Sequence, residues 1–269
     1  MLTMILDNDI KNIGIYDKSG VDRIFIDLEL NGKEKRQGHL DTVISKHSFD
    51  DIKRVKSTIK YSQLLVRINP IYENSRYEID RAIDNGADIV MLPMFKSVEE
   101  VQTFIEFVSK RIRTSLLLET SEALARIDDI LEIDGIDEIH IGLNDLHLAL
   151  GLDFMFELLG GDLIEYIVQK IKAKNIPFGI GGVARMDEGM LQGSIIIKEH
   201  VRLGSSMVIL SRTFKNGIEN NTEIIKQEIQ KLQDVETRAK ELDKSELLEN
   251  KKMLHTIANN IAYMIRNKK

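Results

Sequence analysis

Short apolar runs recur along the chain, separated by longer mixed segments with helical periodicity. Eight such runs stand out: Leu2–Leu6, Arg23–Leu28, Leu64–Asn69, Asp88–Leu92, Ser115–Glu119, Glu138–Ile141, Phe178–Gly181 and Met207–Leu210. Most are rich in Ile, Leu and Val, as strands buried on both faces are. The segments between them open on cap signals such as Ser48-x-x-Asp51, Ser97-x-x-Glu100 and Ser121-Glu122, which can satisfy orphan N–H groups and place acid in a first turn. Glycine at Gly86 and Gly135 marks helix ends just before a strand resumes, and Pro70, Pro93 and Pro177 fall at strand edges. Strand and helix in alternation mean parallel strands with crossover helices, and eight strands suffice to close a barrel. The predicted fold class is α/β, a TIM (β/α)8 barrel with additional C-terminal helices.

The pattern changes after Phe214. From Asn220 to Lys269 there is no glycine or proline, and apolar residues return at Ile225, Ile229, Leu232 and Leu242, then at Leu254, Ile257, Ile261 and Ile265. Spacings of three and four are helical. An interruption at Asp243 and Ser245 divides the stretch into an eighth barrel helix and a further helix. The expected organisation is a barrel over residues 1–218 and a helical extension over 219–269. The apolar stripe of that extension packs on its own barrel or across a subunit interface.

Composition narrows the function classes. A chain of 269 residues with 43% hydrophobic and 30% charged residues fits one soluble domain, and its net charge of −6 argues against a surface built to neutralise phosphates. Without cysteine there is no disulfide framework and no thiolate nucleophile, so a metal would have to be held by oxygen or imidazole. No apolar run is long enough to span a bilayer and no signal-peptide pattern opens the chain, which predicts a cytoplasmic protein with neither membrane nor nucleic acid as partner.

In a parallel barrel, a charge at the end of an apolar strand leaves the packed layer for the loop face where such enzymes keep their chemistry. Glu119 and Asp145, 26 residues apart, each follow such a run. If those runs are neighbouring strands, their backbones lie about 5 Å apart and both carboxylates can reach one hard cation, Mg2+ or Mn2+. Arg67 lies within the third run, where it either clamps a substrate acid or forms an internal ion pair. Asp27 and Glu29 share parity at the end of the second run, able to orient Arg67, contact a ligand, or pair with a neighbouring cation. Backbone donors around Leu143 and Asn144 suit a carboxylate or oxyanion. Among the histidines, His47 precedes the Ser48 cap and is a candidate acid or base. His147 is a candidate substrate contact, His140 is expected to face the helices, and His200 is expected to be structural. Gly179–Gly182 allows close approach of a ligand or tight packing at the mouth.

Four blocks, taken in order, carry a resemblance: Asp22-Arg-Ile-Phe-Ile-Asp-Leu-Glu29; Val66-Arg-Ile-Asn-Pro70 with Gly86-Ala-Asp-Ile-Val-Met-Leu-Pro93; Leu118-Glu-Thr120 with Ala123-Leu124; and Gly142-Leu-Asn-Asp-Leu146. Across residues 20 to 214 the chain resembles the HpcH/HpaI aldolase and citrate lyase β-subunit family of the phosphoenolpyruvate/pyruvate barrel superfamily. That resemblance implies Glu119 and Asp145 as ligands of Mg2+ or Mn2+, Arg67 as the anchor of the substrate carboxylate, and backbone donors near Asn144 as further contacts. It also implies a homo-oligomer, trimeric or hexameric. Aldolase members carry a histidine directly after the acid that closes strand two; here Leu30 follows Glu29, which leaves His47 or water for that role. The expected function is a metal-dependent carbon–carbon lyase acting beside a 2-oxo acid or an acyl-CoA enolate. Its rivals are a barrel that binds a small acid without turnover and an acyl-CoA thioesterase on the same metal platform.

Overall fold

The computed structural model describes residues 1–30 and 47–267. Eight parallel strands close a barrel in sequence order, each pairing with its neighbours and β8 pairing with β1. They are β1 (Leu2–Leu6), β2 (Arg23–Asp27), β3 (Gln63–Arg67), β4 (Ile89–Leu92), β5 (Arg113–Leu118), β6 (Glu138–Ile141), β7 (Phe178–Val183) and β8 (Met207–Leu210). Each overlaps an apolar run of the sequence, because a strand with barrel on one side and helices on the other has no solvent face to mark with polar residues. Gly86 and Gly135 hold φ of 101° and 96°, the left-handed turns expected ahead of β4 and β6.

Thirteen helices are described: α1 (Ile10–Lys18), α2 (Phe49–Thr58), α3 (Ser75–Asp84), α4 (Val98–Val108), α5 (Ser121–Ala125), α6 (Ile127–Ile130), α7 (Leu143–Ala149), α8 (Phe156–Gly160), α9 (Leu163–Ala173), α10 (Gly193–Leu203), α11 (Arg212–Lys215), α12 (Thr222–Glu241) and α13 (Lys244–Arg266). The capping boxes at Ser48 and Ser97 form as the spacing predicts. The third cap lies one residue earlier than expected: Thr120, not Ser121, accepts the N–H of Ala123, because its hydroxyl also donates to the Phe95 carbonyl and ties the β4 loop to β5. Asp243 caps α13, the interruption read from the sequence.

The C-terminal pair docks on its own barrel. Helix α12 lies against α1 and α10, and α13 lies against α8 and α10. Leu254, Ala258, Ile261 and Ala262 of α13 are buried there, and Asn250 Nδ2 donates to the Ile195 carbonyl at 3.1 Å. None of the described helices is long and apolar enough to cross a membrane.

Two cores result. The larger fills the annulus between strands and helices, and the smaller, built on Met4, Phe25, Leu65, Ile89, Met91, Leu117 and Met207, fills the barrel itself. Its floor contains a charge pair. Arg23 donates in two parallel bonds to Glu138, at 2.7 and 2.9 Å, with both side chains almost fully buried and the sulfurs of Met4 and Met207 beside the guanidinium.

Candidate active site

Inward positions alternate along each strand, so the residues above the floor follow from the register. Asp27 stands opposite Arg67 at the tops of β2 and β3. Arg67 Nε and Nη2 donate to the two Asp27 oxygens at 2.8 and 2.9 Å, Glu29 lies 3.4 Å from Nη2, and the guanidinium stacks 5.5 Å above the Phe25 ring. Arg67 is thus in an internal ion pair, as one of its two readings from the sequence had it, and its side chain, 14% exposed, lines a cavity of about 840 Å3 at the C-terminal mouth of the barrel. The two acids beside it raise the guanidinium's pKa against the cost of burial.

Glu119 stands one residue past β5 and is buried, with the Met94 N–H donating to Oε1 at 3.1 Å. Two backbone features surround that carboxylate. Met94 holds a φ of 53°, costly for a residue with a Cβ, and it turns its amide toward Glu119. Gly142 has an ordinary φ of −83°, yet a Cβ there would meet Glu119 Oε2 at 2.8 Å and Glu119 Cβ at 2.9 Å, so glycine is required by room and not by conformation. Asp145 is in the opening turn of α7 and not at the strand end as expected, since β6 stops at Ile141 and the helix begins at Leu143. It still lines the same cavity as Glu119. Burial and the neighbouring Asp145 charge push the Glu119 carboxyl well above the usual carboxylate range, with Arg67 pulling the other way.

Leu143 and Asn144 line the cavity, and the cap of their helix is Gly142, which has no side chain to occupy the first N–H groups. Glu29 is placed behind Arg67 and is not among the described lining residues. His47 reaches the cavity from the far side of β2, and its Nδ1 accepts the Asp27 N–H at 2.9 Å. Burial lowers its pKa, with the charges of Asp27, Asp51 and Asp7 opposing. His147 is buried with Nδ1 on the Leu143 carbonyl and does not line the cavity. His200 is buried in α10, and burial lowers its pKa to about 3.

One orientation is corrected. His140 was expected to face the helices, on a parity counted back from Asp145; because Asp145 is in a helix, strand parity does not run that far. His140 is opposite Leu117, an interior residue, and it faces inward to line the cavity, with Nε2 on the Gly181 carbonyl at 2.9 Å. Gly179 serves that packing: a Cβ there would collide with His140 Nδ1.

The sequence reading also missed a wall of the site. Asp7 and Asn8 follow β1, and Ser211, Arg212, Lys215 and Asn216 follow β8; all line the cavity. Lys215 Nζ donates to the Leu6 carbonyl at 2.7 Å and to Asp7 Oδ2 at 3.0 Å. The available signal was positional: in a closed barrel the loop after the last strand returns to the end of the first.

A family model described as HpcH/HpaI aldolase/citrate lyase matches residues 6–194. A hydroxypyruvate/pyruvate aldolase of Roseobacter denitrificans is 23% identical over 184 residues, covering 55% of this chain and 70% of that protein. A second protein of that name, from Rhizorhabdus wittichii, is 30% identical over 105 residues, covering 29% of this chain and 42% of its own length. Among solved structures, an HpcH/HpaI aldolase from Desulfitobacterium hafniense superposes with a TM-score of 0.62 at 20% identity, over 78% of this chain and 85% of its own. The citrate synthase SbnG does so with a TM-score of 0.60 at 18% identity, over 88% and 94%. At these identities the two structures speak for the fold.

Proposed function

This chain belongs to the HpcH/HpaI aldolase/citrate lyase family, whose chemistry is that of carbon–carbon lyases, and on that premise we propose that it breaks or forms a carbon–carbon bond beside a 2-oxo acid, with Mg2+ or Mn2+ held by Glu119 and Asp145. The observation that carries the reading is the crowding of acids at the mouth. Burial and the Asp145 charge raise the cost of ionising Glu119, and a divalent cation between the two carboxylates would offset that cost. Two carboxylates, with the remaining positions left to water and substrate oxygens, are a donor set that suits a hard octahedral ion. Among the described residues no group of three or more His, Cys, Asp or Glu side chains is gathered for a metal, so they form no closed zinc-type cage.

When bound, the cation supplies Lewis-acid polarisation of the 2-oxo group and offsets the charge left on that half as the bond breaks. The chain's own groups do the rest. Arg67, aimed by Asp27 behind it and supported by Phe25 below, takes the substrate carboxylate at the cavity edge. The N–H groups of Leu143 and Asn144 add neutral donors from the opening turn of α7. His47 has its Nδ1 lone pair engaged by the Asp27 amide, so its neutral ring carries the proton on Nε2. In that tautomer it hydrogen-bonds the oxygen of the departing half; on cleavage that oxygen's hydroxyl proton passes to water in the cavity, and the enolate of the retained half takes a proton from water to give the 2-oxo acid. The hydroxypyruvate and pyruvate named in the two aldolase relatives make a three-carbon 2-oxo acid the first choice for the retained half.

The test is cleavage of 4-hydroxy-2-oxo acids with released pyruvate followed by a coupled dehydrogenase. Turnover that a chelator abolishes and Mg2+ restores is expected. Turnover that survives the chelator, with pyruvate trapped on the protein by borohydride, would refute the metal-dependent mechanism in favour of a lysine imine.

A further inference from the structure

Beside the opening turn of α7, strand β7 is irregular. Against β6 it runs in step, Ile139 with Phe178, His140 with Gly179 and Ile141 with Ile180. Against β8 it does not: the advance from Gly179 to Gly182 on β7 is matched only by the shorter advance from Met207 to Ile209 on β8. One residue of β7 is therefore surplus to that ladder. Gly181 lies in the interval with a φ of 47°, the left-handed conformation that a bulge glycine adopts.

Two neighbours grip Gly181. On one side His140 Nε2 meets its carbonyl at 2.9 Å, and since a carbonyl only accepts, Nε2 carries the ring proton. The ring is 1% exposed, and that carbonyl is its one hydrogen-bond partner among the described residues. An apolar side chain would fill this place without leaving Nδ1 unbonded in the core, so stability alone does not account for a histidine here. On the other side is Leu143, the first residue of α7. A Cβ on Gly181 would meet Leu143 Cδ1 at 2.7 Å and Cγ at 3.0 Å, so glycine is required by room as well as by conformation.

The same turn is held from the β5 side. The Gly142 N–H donates to the Leu118 carbonyl at 2.9 Å, and Gly142 has no room for a Cβ against Glu119. The turn that carries Asp145 thus rests between Glu119 and the bulge, and a shift of the bulge moves Asp145 relative to Glu119. We propose that His140 and Gly181 are positioning residues, which act through Leu143 to set Asp145 and the Leu143 and Asn144 N–H groups against Glu119. This inference rests on the reading of Glu119 and Asp145 as ligands of the cation.

Manganese binding to the substrate-free protein, followed by electron paramagnetic resonance of the free ion, reads that placement without turnover. Gly181→Ala and His140→Leu are each expected to weaken binding about tenfold. His140→Gln, which keeps a donor for the Gly181 carbonyl, should bind close to wild type. Urea unfolding of the cation-free variants accompanies the titrations, because a merely structural role would lower stability and leave the manganese affinity of the folded protein unchanged. Wild-type affinity in folded Gly181→Ala or in His140→Leu, or equal weakening in His140→Leu and His140→Gln, would overturn the positioning role. Should Gly181→Ala not fold, the two His140 variants decide. No binding to wild type, or binding that Glu119→Gln leaves intact, would overturn the metal site and this inference with it.

Discussion

The barrel interior carries charge at two levels, and the levels are built differently. At the floor, one arginine meets one carboxylate: Arg23 and Glu138 share two bonds, buried among Met4, Phe25 and Met207. At the mouth, Arg67 meets Asp27 and Glu29, with Glu119 and Asp145 close by. The floor is one matched pair, whereas at the mouth Glu119 is buried with the Asp145 charge beside it, and its carboxyl is pushed well above the usual carboxylate range. A balanced buried pair contributes to the fold or its specificity. A buried carboxyl with an acid's charge beside it is a cost to the fold, and a cation bound between the two would offset that cost.

That contrast makes opposite predictions for two glutamates. Glu119→Gln should lower kcat/KM by about 10³-fold, or about 4 kcal/mol of barrier, while the cation-free protein becomes no less stable, because a buried acid with acidic neighbours has been removed. Glu138→Gln should do the reverse. It strands Arg23 in the barrel and should cost roughly 3–5 kcal/mol of unfolding free energy, with kcat/KM per folded molecule close to wild type. Urea unfolding and steady-state kinetics on both variants check this. Loss of stability in Glu119→Gln, or loss of turnover without loss of stability in Glu138→Gln, would break the contrast.

A smaller effect probes the layer between the two levels. His140 faces inward there, and burial lowers its pKa to about 4, with Arg23 contributing. The unfolded chain takes up a proton near pH 6.5 while the folded protein does not, so this contribution to stability is complete above pH 6.5 and declines as pH falls toward 4. At pH 5 the loss from this group is about 2 kcal/mol. His140→Gln keeps a donor for the Gly181 carbonyl and removes the titration. The drop in unfolding free energy between pH 7.5 and pH 5 should shrink by about that amount. An unchanged drop would mean that the layer is wetter than the floor beneath it.

Much of this was legible in the chain. The eight strands could be read because a parallel barrel buries both strand faces, so apolar runs mark them within a residue or two. Glu119 and Arg67 could be placed at the cavity because a charge closing such a run has few places to go, and Asp145 lines the same cavity from the opening turn of α7 instead of a strand end. What escaped was whatever depends on how strands meet. The Arg23–Glu138 pair joins residues 115 positions apart, and only the closed barrel brings them together. The His140 orientation was misread because strand parity was carried across a turn into α7. Lys215 belongs to a helix of four residues with no periodicity to advertise it, and its partner Asp7 is at the other end of the sequence. The capping shift from Ser121 to Thr120 has the same origin, a hydroxyl recruited by the neighbouring loop at Phe95.

The central claim is that Glu119 and Asp145 hold one divalent ion at the mouth. Diffraction from crystals grown with manganese, recorded for anomalous scattering, tests it most directly. The account predicts a single strong peak within coordination distance of both the Glu119 and Asp145 carboxylates, and none beside Glu138. A peak bound elsewhere, or saturating manganese that leaves these two carboxylates untouched, would contradict it.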